Sequence, residues 1–251
     1  MALSLEGPWI PFEIFSFRHG FCVAMSLFFI LYIPRLIAAA NGRAIKYVVF
    51  IYTALVVHLQ FLELHVFTTM YGREWKTILP LQLCDFSAAA MVIYFFTRKR
   101  FVFSCAYFWG IPFAGMAMLT PNSLYGFPSP DYLVHQYGHA IVLLGISMAM
   151  YLFGEKPTQK DIFKVSLLTL ILLPVVYLIN YFLGEPANYW FLLSKPTGDN
   201  LMGLMPAAPY HVVVLIPLTI LVFAASFLPV HLRNKLWSHT QVVHGGEEKN
   251  P

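Results

Sequence analysis

Seven apolar stretches, separated by short polar breaks, run the length of the chain. They span about 20–39, 47–70, 78–96, 101–119, 132–153, 162–182 and 210–231. Each holds roughly 20 mainly apolar residues, the number a helix needs to cross a hydrocarbon core of about 30 Å. The pattern predicts an all-α polytopic membrane protein of seven transmembrane helices. Before the first stretch, Trp9, Phe12, Phe15 and Phe17 are interrupted by Pro8, Pro11 and Glu13. With no basic run ahead of it, this segment reads as interfacial rather than as a cleavable signal peptide.

Composition agrees with the pattern. Of 251 residues, 59% are hydrophobic and 11% charged. Soluble domains carry about 25% charged residues, and disordered chains carry more. A soluble enzyme and a disordered chain are therefore both excluded. The apolar stretches are evenly spread, so the whole of 1–251 reads as a single integral membrane domain. The net charge of +4 does not form a basic stripe, which argues against a nucleic-acid partner.

The basic residues sit in the breaks instead. Twelve of the 16 fall on one side: Arg35, Arg43, Lys46, Arg98, Lys99, Arg100, Lys156, Lys160, Lys164, Arg233, Lys235 and Lys249. Arg18, Arg73, Lys76 and Lys195 fall on the other. The positive-inside rule then predicts an external N-terminus and a cytoplasmic C-terminus in a multi-pass protein of the plasma membrane.

Ionisable residues within a membrane usually face the protein interior and mark function. Here they gather near the predicted outer ends of three spans. The second span ends with Glu63 and His65. The third opens with Pro80, Gln82, Cys84 and Asp85, and the fifth carries His135 and His139 in its first turns. At 1.5 Å per residue, Cys84 and His139 lie roughly 9–10 Å below the outer boundary. Cys84 is the candidate nucleophile and His139 its base, because an imidazole can take a thiol proton and return it to a leaving group. Glu63, His65, Gln82, Asp85 and His135 are candidate supporting residues. Asn180, Asn188, Tyr189 and Lys195, around the long sixth loop, are candidate headgroup contacts. No C-x-x-C pair occurs among Cys22, Cys84 and Cys105, although a Cys22–Cys84 disulfide is geometrically open.

The run Leu79-Pro80-Leu81-Gln82-Leu83-Cys84-Asp85-Phe86-Ser87 resembles a signature of the YwaF-like bacterial integral membrane proteins, relatives of the eukaryotic transmembrane protein 164. Tyr107-Phe108-Trp109-Gly110, Leu119-Thr120-Pro121, His135 to His139, Asn188-Tyr189 and Lys195-Pro196 agree in order and spacing. Gln82, where a His is expected, departs from the pattern. So does Met205-Pro206-Ala207-Ala208-Pro209, where a more aromatic stretch is expected. The resemblance implies seven helices and, by its eukaryotic branch, a cysteine-centred phospholipid acyltransferase with Cys84 as nucleophile and His139 as base.

Three functions are compatible with the polar set. The first is a lipid acyltransferase or acyl hydrolase acting on a phospholipid or lysophospholipid in the outer leaflet, with no metal and no cofactor. The second is a zinc-dependent lipid hydrolase holding its metal with His65, His135, His139 and Asp85. The third is a small-solute transporter or binding protein, for which an internal repeat would be the usual sign.

Overall fold

The computed structural model describes residues 9–39, 42–196 and 204–245. It is a helical bundle. In chain order the helices are α1 (Phe17–Ala38), α2 (Gly42–His65), α3 (Leu83–Thr97), α4 (Arg100–Leu119), α5 (Pro130–Leu152), α6 (Gln159–Leu183) and α7 (His211–Gly245). Among the described residues, extended backbone pairs at one isolated bridge, between Pro11 and Tyr125.

Six of these helices have spans long and apolar enough to cross a membrane, and α3 is a shorter apolar helix of 15 residues. The third stretch therefore differs from its expectation. Its helix begins at Leu83 rather than near 78. Leu79 precedes a proline and so disfavours helical backbone. Gln82 is the N-cap, and its N–H donates to Asp85 Oδ2 at 2.9 Å, which fixes the first turn one residue later. At the other extreme, α7 is helical past 231, as far as Gly245.

Cross-contacts give the helix directions. His19 near the start of α1 reaches Leu119 O at the end of α4 and Tyr132 at the start of α5. Arg35 near the end of α1 donates to Tyr151 near the end of α5. One end of the bundle therefore collects the starts of α1, α3 and α5 and is termed the Cys84 end. The opposite, or Arg98, end is tied by the Arg100–Asp161 ion pair at 3.0 Å.

The core centres on α3, α4 and α5, with Met91, Phe103, Phe108, Ala114 and Ile146 fully buried. Small residues allow the helices to approach closely. Ser87 Oγ donates to Ala106 O at 2.7 Å, beside Gly110, where a Cβ would collide with Ser87 and Ile146. Gly145 leaves room for the Tyr52 ring of α2, and Gly138 for Leu59. These contacts seat α2 against α5, which brings their polar turns to the same end. The outer surfaces of α1, α6 and α7 expose Phe28, Leu31, Ile171, Phe182 and Leu221, as lipid-facing helices do.

Candidate functional site

Cys84 is the second residue of α3 and is half-buried. It therefore stands in the first helical turn, where amide N–H groups have no partner within the helix. The N–H groups of Cys84 and Asp85 lie beside Sγ. Asp85 N also bonds Gln82 O, whereas the N–H groups of Leu83 and Cys84 make no hydrogen bond to a neighbouring carbonyl among the described residues. First-turn amides favour a thiolate, whereas the burial of Sγ and the neighbouring Asp85 and Glu63 carboxylates oppose it, so ionisation here calls for a base. All three cysteines are free, and Cys22 lies beside the Tyr132 hydroxyl.

Around Cys84, Asp85 serves as the cap of α3, and Glu63 from α2 is close enough to interact electrostatically with both. Arg73 lies within the same range of Glu63 and His135, its guanidinium stacked 4.5 Å from the Phe67 ring. His135 and His139 follow on α5, their ring centroids 4.4 Å apart.

Hydrogen bonds settle both imidazole tautomers, because a carbonyl only accepts. His139 Nδ1–H donates to His135 O at 2.7 Å, which leaves Nε2 as the basic nitrogen of the neutral ring. His135 Nε2–H donates to Ala117 O at 3.2 Å, leaving its Nδ1 basic. No hydrogen bond joins His139 to Cys84 among the described residues. The two share the Cys84 end on packed helices, α3 and α5. His65 does not join them: its side chain is exposed, and Thr68 and Thr69 use its carbonyl. No group of three His, Cys, Asp or Glu side chains suited to a metal ion forms among the described residues, so the four donors of the zinc reading are not brought together.

The loop after α6 closes over the start of α3. Asn180 is fully buried, and its amide pairs with Tyr189 twice: Nδ2 donates to Tyr189 O at 2.9 Å, and Oδ1 accepts from Tyr189 N at 2.7 Å. Asn188 folds the following turn, accepting from Leu193 N and donating to Ser194 O. Tyr189 Oη accepts from Leu79 N at 2.7 Å and donates to Lys76 O at 2.9 Å. Burial pushes this hydroxyl up to about 12, so it remains a donor at neutral pH. Trp190 N donates to Gln82 Oε1, and Trp190 Nε1 donates to Leu81 O at 2.8 Å. Lys195 Nζ donates to Met205 O at 3.0 Å.

These bonds answer a problem set by the short α3. Non-helical backbone at membrane depth persists only where protein or a polar cavity satisfies it. Here Tyr189 and Trp190 satisfy Leu79 and Leu81. The loop bears backbone strain in return, with Trp190 at φ 58 and Phe191 at φ 54, a conformation costing about 1–3 kcal/mol per non-glycine residue.

Two further histidines lay outside the sequence reading. His211, fully buried at the start of α7, donates from Nε2 to Phe191 O at 2.7 Å. Its place at the edge of an apolar span was the available signal. His19 donates from Nε2 to Leu119 O at 3.0 Å and accepts the Tyr132 hydroxyl on Nδ1 at 2.8 Å. Both its nitrogens are thus occupied, and although Cys22 is near, His19 offers no free basic site. A cavity of about 360 Å³ adjoins it, lined by Phe12, Glu13, Arg18, His19, Phe127 and Tyr132.

The model of the TMEM164 family matches residues 14–227, a segment that contains every residue of this site. The chain belongs to the TMEM164 family. No curated protein and no solved structure matches it.

Proposed function

We propose that this member of the TMEM164 family is a lipid acyltransferase, or an acyl hydrolase where water is the acceptor, working through Cys84 and His139. In this reading all seven helices cross the plasma membrane, with the N-terminus outside and the Cys84 end in the outer leaflet. The observation that carries the proposal is a free thiol in the first turn of α3, beside unpaired amides, with a histidine on the adjoining helix whose Nε2 is left free to accept a proton. A phospholipid ester carbonyl lies just below the headgroup, the level to which the positive-inside count assigns this end of the bundle.

His139 Nε2 takes the Cys84 proton as Sγ bonds to the ester carbonyl carbon. The resulting oxyanion is stabilised by the Leu83 and Cys84 N–H groups, both free to donate. Collapse breaks the acyl C–O bond, and the lysolipid oxygen leaves with the proton from His139. An acyl-thioester remains on Cys84. A lysophospholipid hydroxyl or water then reverses the sequence, His139 taking its proton. Asn188 and Tyr189 act indirectly in this scheme, since their side chains hold the loop over the first turn of α3. Gln82 keeps its amide nitrogen available for the oxyanion or the headgroup, its oxygen being used by Trp190.

The test is acyl exchange in nanodiscs between a phospholipid donor and an isotope-labelled lysophospholipid, read by mass spectrometry. Wild type is expected to form labelled product. Cys84→Ala should abolish it, and His139→Ala should lower the rate by about 10²-fold or more, as loss of a general base does. Undiminished exchange in Cys84→Ala would rule out the thiol mechanism.

A further inference from the structure

The segment before α1 is pinned to the loop between α4 and α5. Phe12 N donates to Leu124 O at 3.1 Å, and Gly126 N donates to Ile10 O at 2.9 Å. Between this segment, that loop and the starts of α1 and α5 lies the cavity of about 360 Å³ beside His19. Its volume falls within the roughly 300–1,000 Å³ of small-ligand sites. His19 and Tyr132 are buried in its wall, whereas Glu13 and Arg18 line it as exposed residues, so the charges stand at its mouth.

Those two charges are unmatched. Among the described residues, neither the Glu13 carboxylate nor the Arg18 guanidinium takes part in an ion pair or hydrogen bond. At the same end of the bundle, by contrast, Lys76 pairs with Glu74 at 3.3 Å and Lys195 donates to Met205 O. His19 and Tyr132 bond each other, Leu119 O and Gln136, so the inner wall asks for no further polar partner. A singly charged ligand would leave either Glu13 or Arg18 unmatched, whereas a zwitterion matches both. Phe12 and Phe127 line the same space, and aromatic rings beside a carboxylate suit an ammonium group.

The surroundings select a lipid as the carrier of that zwitterion. Phe15 is 96% exposed and Phe17 87% exposed, as aromatic residues entering a membrane interface are. Phe17 also lines the cavity, and its ring stacks on that of Phe21 with centroids 6.4 Å apart. Phe21 and Phe28 are exposed farther along α1. An apolar track therefore leads from the cavity down the outer surface of α1, where the acyl chain of a lipid would follow its headgroup.

We infer that this cavity is a binding site for a zwitterionic phospholipid, with the ammonium at Glu13, the phosphate at Arg18 and an acyl chain along Phe17 and Phe21. Both headgroup contacts are charge-assisted, and the guanidinium fork matches two phosphate oxygens. No residue lining the cavity takes part in the proposed acyl transfer. Binding here is therefore independent of that proposal.

The experiment is native mass spectrometry of the delipidated full-length protein. It is titrated with dioleoylphosphatidylcholine, anionic dioleoylphosphatidylglycerol or the cationic lipid dioleoyl-trimethylammonium-propane. Wild type should retain the choline phospholipid about tenfold more tightly than either singly charged lipid. Glu13→Gln should bring the choline phospholipid down to the level of phosphatidylglycerol. Arg18→Gln should bring it down to the level of the cationic lipid. Cys84→Ala and the double variant Glu74→Gln/Lys76→Gln should both keep the wild-type preference. Millimolar glycerophosphocholine, the headgroup without its chains, should not displace the lipid. Equal retention of the three lipids by wild type would overturn the inference. So would loss of the preference in Cys84→Ala or Glu74→Gln/Lys76→Gln, its survival in Glu13→Gln and Arg18→Gln, or displacement by glycerophosphocholine. Glu13→Gln and Arg18→Gln remove only exposed, unpaired charges, and an unchanged melting temperature without lipid checks that both variants fold.

Discussion

At the scale of single residues, hydrogen-bond partners separate residues that can do chemistry from those that hold shape. His139 keeps a free basic nitrogen, whereas His19 has none. Asn180 has spent both ends of its amide on Tyr189. Asn180→Ala would leave a buried N–H and a buried carbonyl unpaired, each costing about 1–3 kcal/mol. A loss of about 2–4 kcal/mol in detergent denaturation is expected, with acyl exchange falling as the loop loosens. Asn180→Asp keeps the bond from Tyr189 N but sets a buried carboxylate oxygen against Tyr189 O, so it should be no more stable than Asn180→Ala. Stability equal to wild type in Asn180→Ala would show that the loop is held otherwise. Glu63, Cys84, Asp85, His135 and His139 were legible in the sequence, because helical rise and span direction place them at one end without knowledge of packing. His65 satisfied the same arithmetic and yet faces outward, since depth does not give rotation about the helix axis. The partners of Asn180, Asn188 and Lys195 were not legible: loop hydrogen bonds follow no period.

At the scale of elements, the decisive feature is the late start of α3. The hydropathy of 78–96 suggested one continuous helix, but Pro80 and the Gln82–Asp85 cap postpone it to Leu83. Cys84 thereby moves from a helix interior into a first turn with free amides. The loop after α6 must then satisfy 79–82, and Tyr189 is the hub. Burial raises its hydroxyl from the ordinary 10.0 to about 12. A group raised in the folded state contributes stability that is complete below its unfolded value and is lost as pH climbs through its folded one. The stability difference between wild type and Tyr189→Phe should therefore be constant below about pH 9 and shrink between about pH 10 and 12. Thermal unfolding in buffered detergent across this range measures it. A difference that grew with pH would contradict the assignment.

At the scale of the whole molecule, helix number and order were legible, because every span except the third announces itself by length and hydropathy. The stacking of α3, α4 and α5 was not, since it depends on close approaches such as Ser87 to Ala106 that no periodicity encodes. The orientation proposed from basic residues makes a direct prediction. In a background with Cys22, Cys84 and Cys105 replaced by Ala, an impermeant maleimide should label Ser194→Cys on intact cells. It should label Lys99→Cys only after permeabilisation. Both positions are exposed in the fold, so access alone decides the outcome. The reverse pattern would place the Cys84 end in the cytoplasmic leaflet.

Cys84 should carry an acyl group during turnover, and the adduct can be sought directly. Purified protein would be incubated with a phospholipid donor and no acceptor, quenched in acid, and examined by intact-protein and peptide mass spectrometry. A single acyl group is expected on the peptide containing Cys84, removed by neutral hydroxylamine and by added lysophospholipid, and absent in Cys84→Ala. Acyl exchange that proceeds with no adduct on Cys84, or with an adduct that persists in Cys84→Ala, would contradict it.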